Sequence, residues 1–331
     1  MKNYTLVDLT KDYSKYSKYL SNTLLTQINE NLKDNKKIIL YINKRGAYDL
    51  SICQECSYIK KCSRCDISMS VHKKPPKYIC HHCFFQEDIL LKCDKCNGNN
   101  LVFVGVGTEQ IEEVLKNIFP KINIFRMDSD NLKNNTLKKE ALNNLNNANI
   151  IIGTKMITTG FDFRNIGLIG IILLEQELQI PFYDTEEKIY QNTKQLLGRG
   201  GRLGEKTQFL IQTFSPQNEI ILDIINLNYN DFLNKTLKER KFFKYPPFLE
   251  LATLRYKNKD KNTSIDFIKN LKNKLDTLNN GEFEILLIDV PIKRDNQFFT
   301  KIIIKGENIK GFLQNIKKDI FQNKDLVVIF D

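Results

Sequence analysis

Eight cysteines, all between Cys53 and Cys96, form four Cys-x-x-Cys pairs: Cys53/Cys56, Cys62/Cys65, Cys80/Cys83 and Cys93/Cys96. Paired thiolates at this spacing are tetrahedral metal ligands, and eight of them suffice for two Zn(Cys)4 sites. A disulfide framework would spread its cysteines through the fold behind a secretory leader. The opening MKNYTLVDLTKDYSKY has no apolar run after a basic cap, so secretion is not expected. Which pairs share an ion follows from reach, because two such turns must approach one metal from opposite sides. Five residues separate Cys56 from Cys62, which makes doubling back hard, whereas fourteen separate Cys65 from Cys80. The expected arrangement is nested, with Cys62, Cys65, Cys80 and Cys83 on one ion and Cys53, Cys56, Cys93 and Cys96 on the other. Protein ligands then fill every coordination position, which marks the zinc as structural. His72, His81 and His82 are read as surface groups.

A second chemistry is carried by three polar clusters. Asn43, Lys44, Arg45 and Gly46 follow the apolar run IILYIN. The segment Gly153 to Phe163 (GTKMITTGFDF) offers hydroxyls at Thr154, Thr158 and Thr159, glycines at Gly153 and Gly160, and a carboxylate at Asp162. Gln195 to Arg202 (QLLGRGGR) sets Arg199 and Arg202 in a glycine-rich turn. A guanidinium on a loop that can approach closely is suited to charge developing on a transferring phosphoryl group. By itself the same turn also reads as a helix end with glycine at its C-cap.

The elements that must hold these groups are legible as alternating apolar runs. IILYIN (38–43), LVFVGVGT (101–108), INIFRMDSD, NIIIGTKM, IGLIGIILLEQ and TQFLIQTF ending at Phe214 read as strands. Helices are expected over Glu109 to Phe119, around Thr136 to Asn146, and from Thr185 to Leu197. That alternation predicts a parallel α/β sheet covered on both faces, with ligands at the carboxyl ends of its strands. The expected organisation is one discontinuous α/β domain over 1–50 and 101–215 and a zinc-bearing insertion over 51–100. A small α+β domain over 216–331 follows, in the order strand, helix, strand, strand, helix, strand.

The ordered motifs resemble the second motor lobe of superfamily 2 helicases, and more narrowly the C-terminal part of the primosomal protein N′ family of replication-restart helicases. The carriers are LVDLT, NKRGAY followed by the cysteine block, GVGTE, FRMDSD, GTKMITTGFDF, QLLGRGGR, KYPPFLELA and the closing VPIKR, KIIIKG and VVIFD. The resemblance implies a RecA-like lobe with the two-zinc insertion and a C-terminal domain. By the same resemblance Arg199, Arg202 and Gln195 serve ATP hydrolysis, Gly160 and Asp162 couple nucleotide to DNA, and Arg45, Thr108, Thr154 and Lys155 lie near DNA phosphates. Implied partners are forked or single-stranded DNA, single-strand DNA-binding protein and other primosome proteins, in the cytoplasm at the nucleoid. The chain departs from the family at Thr159, Phe161, Leu197, Glu175 and Glu177, and at Phe298, Phe299, Thr300 and Lys301.

A motor of this class holds ATP and magnesium with Walker A and Walker B motifs, and neither is present in these 331 residues. The expectation is that ATP and magnesium bind only with a first lobe supplied by a separate chain. The alternative is a fork-binding or primosome-loading module without motor activity. The formal charge of +11 favours an acidic partner, although 41 of the 50 basic residues are lysine. Two Zn(Cys)4 units, each carrying a charge of about −2, would reduce it to about +7.

Overall fold

The computed structural model describes residues 4–42, 49–63, 68–73, 76–80, 85–127, 145, 147–158, 163–179, 182–199, 207–294 and 296–331. The chain divides into two compact units, Met1–Asn228 and Tyr229–Asp331.

The first unit is built on a parallel sheet. Its strands are β1 (Tyr4–Asp8), β2 (Lys37–Tyr41), β8 (Ile124–Met127), β9 (Ile150–Gly153), β10 (Ile166–Ile171) and β11 (Gln208–Thr213), in the order β1-β11-β10-β2-β9-β8. Every neighbouring pair runs parallel. All residues of β9 and β10 are buried, as expected of strands covered on both faces, and runs without a polar side chain satisfy both sides without alternation. Helix α1 (Asn22–Lys33) covers β2 and β10 with Leu24, Ile28 and Asn31, which share one face at helical spacing. Its N-cap Ser21 accepts the Leu24 N–H at 2.9 Å, and the Ser21 N–H donates to Gln212 Oε1 at 2.8 Å, tying the helix start to β11. Helix α2 (Thr108–Ile118) lies over β8 and β9 and buries Ile111 and Leu115. Helices α3 (Thr185–Arg199) and α4 (Glu219–Asn226) pack on each other, and α4 buries Ile221, Ile224 and Ile225. The helix expected near Thr136 to Asn146 lies mostly outside the described residues.

The cysteine segment forms its own antiparallel sheet. It comprises β3 (Asp49–Cys53), β4 (Ser70–Lys73), β5 (Pro76–Ile79), β6 (Gln86–Asp88) and β7 (Leu101–Val104), in the order β6-β5-β4-β3-β7. The run from Leu101, read from sequence as a strand of the α/β domain, pairs instead with β3, Leu50 to Cys53 facing Val104 to Leu101. The reason lies in the flanking cysteines: closing Cys53 and Cys56 on Cys93 and Cys96 brings the chain after Cys96 alongside β3.

The second unit begins with α5 (Tyr229–Phe242). It continues through β12 (Glu250–Asn258), α6 (Lys261–Leu278), β13 (Glu284–Arg294), β14 (Gln297–Gly306), α7 (Ile309–Leu313), α8 (Lys317–Gln322) and β15 (Leu326–Phe330). The four strands form an antiparallel sheet ordered β13-β14-β12-β15. Ala252, Leu254, Tyr256, Ile302 and Ile304 meet Ile268, Leu271 and Leu275 of α6 in one core, the strand residues entering at every second position.

Candidate metal centre and strand ends

Two turns face each other across the end of the antiparallel sheet, and they are built alike. In the first, the Cys53 N–H donates to Tyr58 O and the Ser57 N–H to Cys53 O, both at 2.9 Å. In the second, the Cys93 N–H donates to Gly98 O and the Asn97 N–H to Cys93 O, again at 2.9 Å. The residue after each second cysteine, Ser57 and Asn97, is left-handed, with φ of 57° and 59°. That conformation turns the chain back so that backbone N–H groups point at sulfur. Lys95 N–H donates to Cys93 Sγ and Gly98 N–H to Cys96 Sγ, each at 3.4 Å.

The four sulfurs of Cys53, Cys56, Cys93 and Cys96 all lie within 4.8 Å of one another. Cys53 Sγ is 3.6 Å from Cys96 Sγ, and Cys56 Sγ is 3.7 Å from Cys93 Sγ. A tetrahedral ZnS4 unit with Zn–S near 2.3 Å has edges of about 3.8 Å, so the donor set and its spacing fit zinc. Without the ion the crowding is unfavourable to thiolates. Burial, then the neighbouring thiols, push the Cys56 thiol up to about 12, and burial also raises Cys53. Cys93 is held below its ordinary value, against its burial, by the N–H groups of Cys96 and Lys95 and by thiols of the first turn. A divalent cation among the four converts the same crowding into attraction.

Of the other four cysteines, Cys62 and Cys80 are buried and share a hydrophobic cluster with Met69, Val71 and Tyr78. The Cys80 N–H donates to Phe85 O at 2.9 Å, the same closure that Cys53 and Cys93 make in their turns. Cys65 and Cys83 lie outside the described residues.

Two of the three polar clusters come directly after strands of the parallel sheet in the chain, β2 and β9, whereas the third begins inside helix α3 rather than at a strand end. Gly153 ends β9 beside Tyr41 at the end of β2. A Cβ at Gly153 would stand 2.7 Å from Met127 O and 2.6 Å from Ile157, so the close approach of the following turn requires glycine. That turn continues into a 3-10 helix, Lys155–Thr158, leaving Thr154 half-buried, Lys155 exposed and Thr158 buried with its hydroxyl on Lys155 O at 2.7 Å. Gln195 is exposed on α3, and Arg199 is the last residue of that helix. Thr108 is fully buried as the first residue of α2, which places it in packing rather than on a surface. Arg45, Gly160, Asp162 and Arg202 lie outside the described residues.

One set of strand-end residues includes Glu175 and Glu177, which the sequence marked only as departures from the family pattern, and Gln176, which it did not mark. After β10 a 3-10 helix, Leu174–Gln179, buries Glu175, Gln176 and Glu177. Glu175 Oε1 accepts the Phe214 N–H at 2.6 Å, and burial pushes its carboxyl up to about 7. Gln176 makes a two-way pair with the segment after β7: its Nε2 donates to Val106 O at 3.1 Å and its Oε1 accepts the Val106 N–H at 3.4 Å. This amide fastens the exit of the antiparallel sheet to the parallel one. Asn192 Nδ2 reaches Glu177 Oε2 at 3.5 Å. A run of charged and amide residues directly after an all-apolar strand was the available signal.

A sheet-borne pair of cysteine turns set into a parallel α/β unit defines the class as a zinc-ribbon-bearing α/β protein. Residues 62–87 match the family described as the PriA DNA helicase Cys-rich region domain. Among curated proteins, the replication restart protein PriA of Bacillus subtilis is 30% identical over 255 residues, covering 76% of this chain and 32% of the relative. PriA of Rickettsia felis is 32% identical over 76% of this chain and 39% of its own length, and PriA of Borreliella burgdorferi 30% over 74% and 37%. The chain is thus a homologue of the replication restart proteins PriA, as the motifs implied. It spans about a third of the length of the first curated relatives it matches.

Proposed function

We propose that this chain is the C-terminal part of a replication-restart DNA helicase: a RecA-like second motor lobe, a two-zinc insertion and a C-terminal domain. The observation that supports this most directly is the placement of the GTKM segment, at the carboxyl end of β9 and beside the end of β2, where a parallel α/β sheet gathers its ligands. Arg199 and Arg202, with Gln195, reach the ATP phosphates, and Gly160 and Asp162 pass the nucleotide state to DNA. Arg45, Thr154 and Lys155 hold strand phosphates, a role that buried Thr108 does not share. Both zinc ions are structural, the outer one on Cys53, Cys56, Cys93 and Cys96 and the inner one on Cys62, Cys65, Cys80 and Cys83. Forked DNA, single-strand DNA-binding protein and other primosome proteins are the partners, and unwinding runs 3′ to 5′.

ATP and magnesium need a phosphate cradle on a first lobe. Reconstitution with such a lobe tests the reading. Arg199→Ala is expected to lower DNA-stimulated ATP hydrolysis by about a thousandfold or more, the scale of an arginine finger, and unchanged turnover would overturn it. A second reading is a fork-binding or primosome-loading module without motor activity. It would replace the first if the native complex contains DNA and replication proteins but no lobe with that loop.

A further inference from the structure

Buried charge is rare in this chain: among the described residues only Lys60, Glu175 and Glu177 are buried charged side chains. Lys60 lies two positions before Cys62, on the short connection between the first and second cysteine turns. Its Nζ is 2.6 Å from Asp94 Oδ2 and 2.8 Å from Glu87 Oε1, and it stands 5.4 Å from the centre of the Tyr78 ring. The same node includes a buried hydrogen bond from Tyr78 OH to Ser51 Oγ at 2.9 Å, and the Lys60 N–H donates to Ser51 O at 3.0 Å.

The chain positions of these partners carry the inference. Ser51 precedes Cys53 by two residues, Lys60 precedes Cys62 by two, and Tyr78 precedes Cys80 by two. Asp94 lies inside the last turn, directly after Cys93, and Glu87 stands on β6, just past the third turn. Residues adjoining each of the four cysteine pairs therefore converge on one polar cluster, in which the Lys60 ammonium is buried, Glu87 half-buried and Asp94 at the surface. Asp94 is carried by the outer metal set, and Glu87 and Tyr78 flank the inner one.

We propose that Lys60 couples the two zinc sites, so that filling either one raises the affinity of the other. Zinc on the outer thiolates fixes the turn holding Asp94, which fixes Lys60. Lys60 in turn draws in Glu87 and the Tyr78 strand, and with them the inner turns. A buried ammonium that loses one carboxylate is poorly satisfied, so a half-loaded state is disfavoured from both sides. Coupling between two binding sites is reciprocal and commonly lies in the range of roughly 5- to 150-fold. The proposal rests on the reading that the inner cysteines hold a second ion.

The test is stepwise titration of the reduced, metal-free 331-residue chain with Zn2+ against a chromophoric chelator. Wild type is expected to take up two zinc ions, the second about tenfold or more tighter than an independent site would bind it. Lys60→Met is expected to take up two ions in independent steps. Asp94→Asn, which keeps an oxygen acceptor but not the charge, serves if Lys60→Met does not fold, and should weaken the coupling. Independent binding in wild type, or undiminished coupling in the variants, overturns the proposal. Uptake of one ion by wild type instead overturns the two-site reading beneath it.

Discussion

Cys53 Sγ and Cys96 Sγ lie 3.6 Å apart although 43 positions separate them in the chain, and between them runs most of an antiparallel sheet. The approach joins β3 to β7, since Cys53 pairs in register with Leu101, five residues beyond Cys96. The cysteine turns and the β3–β7 pairing therefore bring the same two segments together.

Cys96→Ser is expected to lower the zinc content by about one ion per chain and to destabilise the first unit by several kcal/mol, since a structural site contributes its binding energy to folding. Elemental analysis and urea unfolding in parallel check this. A variant with reduced zinc and unchanged stability would show that β3 and β7 pair without the ion.

Zinc affinity should fall steeply with acid. The Cys56 thiol of the metal-free protein is raised to about 12 by burial and neighbouring thiols, so it is protonated at neutral pH and zinc must displace the proton. Each proton released steepens the dependence by about one decade of affinity per pH unit, with four as the limit for one site. Chelator competition at pH 6, 7 and 8 gives the slope, and an affinity independent of pH would exclude binding through these thiols.

Glu175 should make the first unit more stable in acid than in base. Its carboxyl is raised from 4.5 to about 7 by burial, so the folded state holds the proton more tightly than the unfolded one. That contribution is fully present below pH 4.5 and is lost as pH rises through 7, at most roughly 3 kcal/mol from a shift of that size. Glu175→Gln keeps an oxygen acceptor for the Phe214 N–H and removes the titration. Urea unfolding at pH 5 and pH 8 should show the wild-type difference shrinking in the variant.

Gln176→Ala should strand the Val106 N–H and carbonyl, which the Gln176 side chain pairs at 3.4 and 3.1 Å. The expected cost is about 1–3 kcal/mol, the usual penalty for buried polar groups left without partners. Hydrogen exchange at Val106 should quicken while the zinc content stays at the wild-type value. Parallel loss of zinc would place the amide in the metal site itself.

Local chemistry along the chain was enough for several of these features. Four Cys-x-x-Cys pairs announce thiolate ligands wherever they fall, because the spacing itself brings two sulfurs to one side of a turn. The short runs of β9 and β10, without a polar side chain, announce strands covered on both faces, because such a strand has no solvent side to alternate with.

What local chemistry cannot express is which distant segment comes alongside. Leu101–Val104 has the composition of a strand for either sheet, and only closure around the cysteines assigns it to β3. Lys60 reads as one lysine among 41 until folding brings Asp94, 34 positions away, and Glu87 onto its ammonium. Glu175 stands out in the sequence only as a departure from the family pattern, and the 3-10 helix after β10 turns it inward. Sequence by itself determined the donor types and the strands, because these depend on neighbours within a few residues. Tertiary structure alone decided burial and pairing, because the local dielectric and the partner of a charged group are set by segments remote in the chain.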